Sequence, residues 1–255
     1  ENADVIFAGA GLPLDLPGYL TEGSRTQLVP IVSSSRAARL ICEKWSANYG
    51  YLPDATVVEG PKAGGHLGFK KEQIEDEHYS LEHLIPEVVE VARSYAGRKN
   101  IPVIAAGGIA TGEDIARFMT LGASAVQMGS IFVPTEECDA SVEFKKVYLN
   151  AHREDIRIIQ SPVGMPGRAF DGEFIRNVAE GKEKPRSCPF HCIKTCDYTK
   201  SPYCIIKALY NAAKGNMKKG YAFAGGNAYL SDKIRSVREV VEKLKTDFFL
   251  SKAAF

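Results

Sequence analysis

Five short β-branched runs, each closed by small residues and followed by a helical pattern, limit what this chain can fold into. They lie at residues 4–10, 27–33, 55–60, 102–107 and 124–129. Helical periodicity covers roughly 35–48, 80–97, 111–121 and 136–151, with only a short turn of helix near 15–22. Strands that are apolar almost throughout are covered on both faces, and regular strand–helix alternation supplies the covering helices, so a parallel sheet is predicted. The choice is then between a doubly wound sheet and a (β/α)8 barrel.

The last two strands favour the barrel, in which ligand phosphates sit at the loops after strands 7 and 8. "IPVIAAGGIATGEDIARF" is a strand, a Gly107-Gly108 turn, and then Thr111 as an N-cap with Asp114 three residues on. "ASAVQMGSIF" is a strand ending in Gly129-Ser130, where backbone can approach a ligand closely. If these are strands 7 and 8, the three before them are strands 4, 5 and 6. The abrupt opening "ENADVIFAGAG", already inside a strand, agrees with a chain that lacks strands 1 to 3. The predicted fold is therefore α/β, of (β/α)8 TIM-barrel type, with the last five βα units in residues 1–151. Five parallel strands do not close a barrel, so an open sheet with its first and last strands as edges is expected. Residues 152–255 read as a C-terminal extension carrying a cysteine cluster, with helical patterns near 202–214 and 234–248. No internal repeat of fixed period is visible.

Charge balance directs attention to small molecules. Lys and Arg total 32 against 31 for Asp and Glu, which gives no global attraction to nucleic acid or to an anionic membrane. No stretch approaches the roughly 20 apolar residues of a membrane span, and the first residues lack a signal-peptide layout, so a cytoplasmic protein is expected.

"EGPKAGGHLGF" places Gly60, Gly64, Gly65 and Gly68 around His66. Glycines after a parallel strand are often turn makers only. Here three glycine-rich strand ends occur in one barrel. Gly107-Gly108 and Gly129-Ser130 can offer N–H donors to a phosphate, and Gly64, Gly65 and Gly68 leave room for a flat ring beside His66. FMN meets both needs. A GxGxxG fingerprint opening a helix after a strand is absent from these strand ends. His66 is either a hydrogen-bonded loop histidine or an acid/base group, and its place at a strand end in a barrel supports the second. Ser33 ends "QLVPIVSS" and would bond flavin or substrate, or else belong to the N-cap of the next helix. Glu59 would orient His66 or make a structural hydrogen bond. His78, His83 and His152 have no such setting and read as surface or helix residues.

The segments "VVEGPKAGGHLG", "IPVIAAGGIATGEDIARFMTLGASAVQMGSIFV" and "SPVGMPGRA" together resemble the nitronate monooxygenase family, over nearly the whole chain. The resemblance implies a flavin-bearing TIM barrel that oxidises alkyl nitronates with O2 to a carbonyl compound and nitrite. It also implies that His66 lies beside the flavin as the acid/base group, and that Gly107, Gly108, Gly129 and Ser130 hold the FMN phosphate. Flavin-dependent enoyl-acyl-carrier-protein reductases share the same GGH and GGI elements and form the nearest alternative.

Cys188, Cys192, Cys196 and Cys204 crowd into seventeen residues with His191 among them. Four such thiolates suit zinc or a 4Fe–4S cluster, although a CxxC pair is lacking; reduced, redox-idle thiols are the plain alternative. Cys42 and Cys138 read as packing residues. A non-enzymatic reading arises from the same cluster: a metal-binding association module on an inert barrel fragment.

Overall fold

The computed structural model describes residues 3–192 and 196–253. Among the described residues the strands are β1 (Val5–Ala8), β2 (Gln27–Val32), β3 (Thr56–Glu59), β4 (Gly65–His66), β5 (Val103–Ala106), β6 (Ala125–Gln127), β7 (Ile156–Gln160) and β8 (Pro166–Phe170). The α-helices are α1 (Ser35–Tyr49), α2 (Leu81–Arg93), α3 (Gly112–Thr120), α4 (Val142–Leu149), α5 (Glu173–Ala179), α6 (Ile205–Ala213) and α7 (Val237–Ala253). Contacts divide the chain into two compact units. The first runs up to Pro61, then takes Gly68–Gln127 and the chain from Thr246; the second takes Lys62–Leu67 and Met128–Lys245.

The first unit carries a five-stranded sheet in the order β1-β2-β3-β5-β6, with every pair parallel. This is the expected open α/β sheet, with β1 and β6 at its edges. Val29, Val57 and Ala106 form a buried cluster on it, whereas Phe7 on the edge strand β1 is 53% exposed. Helix α1 begins where Ser34 Oγ accepts the Ala37 N–H, and ends at Gly50, whose φ of +62° is a left-handed cap. Its apolar positions Ala38, Ile41, Cys42 and Trp45 recur at helical spacing and are buried. The indole of Trp45 donates to Pro13 O at 2.8 Å. Thr111 and Asp114 form the expected capping box at α3.

The second unit contains an antiparallel sheet in the order β4-β8-β7, which the sequence pattern does not signal. Strand β4 has two residues, and β8 is "PGRAF", with Pro and Gly, so neither offers a periodic apolar signal. Helix α5 is likewise unexpected, and α4 starts at Val142, not near 136, because Ser141 Oγ accepts the Phe144 N–H and caps it there. Tyr148 of α4 packs edge-on against Phe170 of β8, centroids 4.8 Å apart. That contact helps to explain why residues 128–151 cluster with the chain beyond 152, although the expected boundary falls at 151/152. Phe174, Tyr203 and Tyr221 form a second aromatic core, with the Tyr203 hydroxyl donating to that of Tyr221 at 3.2 Å. No helix among the described residues is long and apolar enough to cross a membrane.

Asp54 pins the sheet of the first unit together. Its carboxylate accepts from Leu28 N–H at 2.8 Å, from Lys99 Nζ at 2.6 Å and from the Tyr51 hydroxyl. Burial alone would raise its pKa, but Lys99, Tyr51 and the Leu28 N–H together hold it below the ordinary carboxylate value. We expect Asp54→Ala to cost about 2–4 kcal/mol in denaturant unfolding at neutral pH, because it orphans donors as well as an ion pair. A lowered native pKa stabilises above the unfolded pKa and is lost on acidification. The gap between the two proteins should therefore narrow as pH falls through the depressed pKa; a gap under about 0.5 kcal/mol at neutral pH would remove Asp54 from this role.

Candidate functional site

His66 stands on the shortest strand of the second unit. Gly65 pairs with Arg168 and His66 with Gly167 in the antiparallel ladder, and Leu67 N–H donates to Pro166 O at 2.9 Å. The pairing fixes the backbone on both sides of the imidazole. Its Nε2 lies 2.7 Å from Ser161 Oγ, and the ring packs edge-on against Phe223, centroids 5.1 Å apart. Desolvation lowers the pKa of His66 below the ordinary histidine value, so the neutral ring dominates at pH 7.

Ser161, the partner of His66, is not singled out by the sequence, although it opens the segment "SPVGMPGRA". It is 3% exposed and lies on the turn between β7 and β8. There Ser161 N–H donates to Met165 O at 3.0 Å and Gly164 N–H to Ser161 O at 3.0 Å. Ser161 Oγ also accepts the Val163 N–H at 3.4 Å. A serine so held is a fixed anchor for an imidazole. It also lines a cavity of about 890 Å³ in the second unit, with Ile159, Ile175 and Tyr203 on its walls. Arg157 and Lys200 line the same cavity, each with an acidic partner, Asp171 and Asp197 respectively.

The glycines around His66 divide by purpose. A Cβ on Gly64 would stand 2.7 Å from Ala224 C and Gly225 N, so this glycine admits a neighbouring segment of chain. A Cβ on Gly68 would stand 2.6 Å from Ser33 Oγ within the first unit. Only Gly65 of the three has open space at its Cβ position, and its φ of +82° is one that L side chains avoid. Of these three positions, open space thus lies beside Gly65. Gly129 also has open space, and Ser130 Oγ accepts the Gly225 N–H at 2.9 Å.

In the first unit Gly107 and Gly108 come after β5 with φ of +99° and +78°. Two successive left-handed glycines can turn their N–H groups into a concavity that receives an anion. Ser34, not Ser33, caps α1, and Ser33 faces Gly68. Glu59 ends β3, and burial pushes its carboxyl up to about 7. The hydrogen-bond partner of His66 Nε2 is Ser161. Among the described residues, no group of three or more His, Cys, Asp or Glu side chains stands ready to hold a single metal ion.

These features agree with the likeness of the chain to known proteins. The chain belongs to the nitronate monooxygenase family, matching it over residues 1–247. A protein of Staphylococcus saprophyticus described as a probable nitronate monooxygenase is 32% identical over 140 residues, which take in 54% of this chain and 38% of that protein. A counterpart in Staphylococcus aureus is 33% identical over 128 residues, 50% of this chain and 34% of its own. The matched length is thus well under half of each relative. Among solved structures, FabK from Thermotoga maritima shares 28% identity at a TM-score of 0.73, covering 98% of this chain and 69% of FabK. A nitroalkane oxidase from Streptomyces ansochromogenes shares the fold at a TM-score of 0.71 and 24% identity, covering 98% of this chain and 65% of its own.

The division among glycines gives a direct check. We expect Gly64→Ala to destabilise the protein by about 1–3 kcal/mol, because a methyl group there meets backbone that has no rotamer to yield. Gly65→Ala should cost only about 1–2 kcal/mol, from its positive φ. Thermal unfolding of the two variants, with equal losses or the reverse order, would show that Gly64 is not a packing glycine.

Proposed function

We propose that the protein is an FMN-dependent oxidoreductase of the nitronate monooxygenase type, converting alkyl nitronates and O2 to a carbonyl compound and nitrite. The observation that carries this reading is the desolvated imidazole of His66, anchored at Nε2 by buried Ser161, in a chain of this family. FMN, when bound, supplies the electron acceptor and the chemistry with O2. The left-handed pair Gly107-Gly108 suits its phosphate, on the anion-receiving geometry of consecutive N–H groups. Gly129, open at its Cβ position, is a further point where backbone can approach a ligand closely.

The work of His66 derives from its surroundings. With Nε2–H donating to Ser161 Oγ, the lone pair is left on Nδ1. A lowered pKa keeps that lone pair available at neutral pH, where it can take the proton from the carbon next to a nitro group. The imidazolium so formed strengthens its Nε2–H hydrogen bond to Ser161, since charged donors bond more strongly. Toward a nitronate already formed there is no proton to remove, and His66 has only to orient the anion.

Substrate choice therefore separates the two roles. In the whole protein loaded with FMN, we expect His66→Ala to keep its flavin. Turnover of a neutral nitroalkane should fall about 10²–10⁴-fold, with a much smaller loss on the preformed nitronate. Ser161→Ala should show the same pattern to a lesser degree. Equal losses on both substrates would remove proton transfer from His66. NAD(P)H-dependent reduction of an enoyl thioester, with no nitronate oxidation, would replace this reading with the reductase one.

A further inference from the structure

Phe174 anchors α5, and the helix leaves two further apolar side chains beside open space. The Phe174 ring stacks on Tyr221 with centroids 6.1 Å apart and meets Tyr203 edge-on at 5.4 Å. Ile175 and Val178 lie three residues apart, on one face of the helix, and both line the cavity of about 890 Å³ that Ser161 borders. Ile159 of β7 supplies wall from the sheet, with Pro162 and Tyr203 beside it. Gly167 stands directly opposite both Ile159 and His66 in the ladder, so those two side chains rise from the same face of the sheet, on either side of a residue that has none. The cavity thus borders the row that carries the imidazole. Its volume is near the upper end of the roughly 300–1,000 Å³ of small-molecule sites, more than a short-chain nitronate needs.

We propose that this cavity binds the uncharged hydrocarbon chain of a medium-length alkyl compound. Polar groups on its wall are already engaged, which leaves a ligand apolar surface to cover. The Ser161 hydroxyl bonds His66 Nε2, the Ser201 hydroxyl donates to Tyr203 O at 2.8 Å, and the Tyr203 hydroxyl donates to that of Tyr221. Charged groups sit at the mouth, in water and in pairs: Arg157 with Asp171 at 3.1 Å and Lys200 with Asp197 at 3.3 Å, the two cationic side chains being 66% and 85% exposed. Arg176 donates to Asp171 O at 2.8 Å. An anion entering here has to displace those partners, whereas a methylene chain displaces none. A water molecule inside needs two to four polar partners and finds these groups already engaged, so exchanging it for carbon is favourable in proportion to the apolar area covered. Chain binding of this kind is independent of the reaction proposed for His66.

The test titrates the primary alcohols from n-butanol to n-octanol into the whole protein by isothermal calorimetry. Affinity should rise about three- to fourfold for each added methylene, with a negative heat-capacity change. Ile175→Trp and Val178→Trp each place an indole in the space of the chain. Both should keep the far-ultraviolet circular dichroism of the native protein and weaken n-octanol at least about tenfold, equal to leaving about two methylenes in water. Nitronate oxidation by the FMN-loaded protein then shows which molecule brings the chain. If the substrate brings it, KM for the nitronate of n-nitrooctane lies well below that for nitroethane, and n-octanol competes with it. If a separate amphiphile brings it, the two KM values agree and the alcohol does not compete. Affinity that fails to grow with chain length in the native protein, or either folded variant binding n-octanol as tightly as the native protein does, would overturn the proposal.

Discussion

Antiparallel pairing of a two-residue strand with β8 is the constraint on which the candidate site depends. Isolated, β4 has too few residues to hold any conformation. Paired with β8, it sets His66 directly opposite Gly167. A Cβ on Gly167 would stand 3.0 Å from the Phe223 ring, so that glycine is what lets Phe223 approach. Phe223 closes one side of the imidazole, and the Tyr148 hydroxyl, donating to Phe223 O at 2.6 Å, steadies the backbone behind it. The turn that joins β8 to β7 brings Ser161 to Nε2. Ring orientation, desolvation and hydrogen bond thus all derive from one ladder.

The parallel sheet is legible in the sequence because its strands are continuous apolar runs between amphipathic helices, and that signal repeats five times. All five strands appear within a few residues of their expected bounds. The antiparallel sheet leaves no comparable trace, since its members are a Gly-His pair, a Pro-Gly-Arg segment and the half-exposed "IRIIQ". Ser161 is hidden for a related reason. A serine on a turn reads as turn chemistry until a residue 95 positions away is placed against it.

The glycine-rich segment shows how one sequence signal can carry several causes. Gly64 lacks a side chain because backbone of Ala224 and Gly225 occupies the space, a Cβ on Gly68 would meet only the Ser33 side chain, and Gly65 has a left-handed backbone and open space beside it. Composition alone does not separate these cases. His66 stands out in the sequence as a candidate acid/base group because imidazole is the side chain with an ordinary pKa near neutrality. What the sequence does not show is the sign of its shift, which depends on burial by Phe223 and Ser161 from distant parts of the chain.

That sign is the most exposed part of the account, because a base that takes a proton from carbon at neutral pH must itself be unprotonated there. An NMR titration of the His66 imidazole in the whole protein, assigned by comparison with His66→Ala, measures it directly. The account predicts a pKa below the ordinary value of about 6.5, with a neutral ring protonated at Nε2 at pH 7. A pKa at or above that value, or a neutral ring whose proton sits on Nδ1, would contradict it.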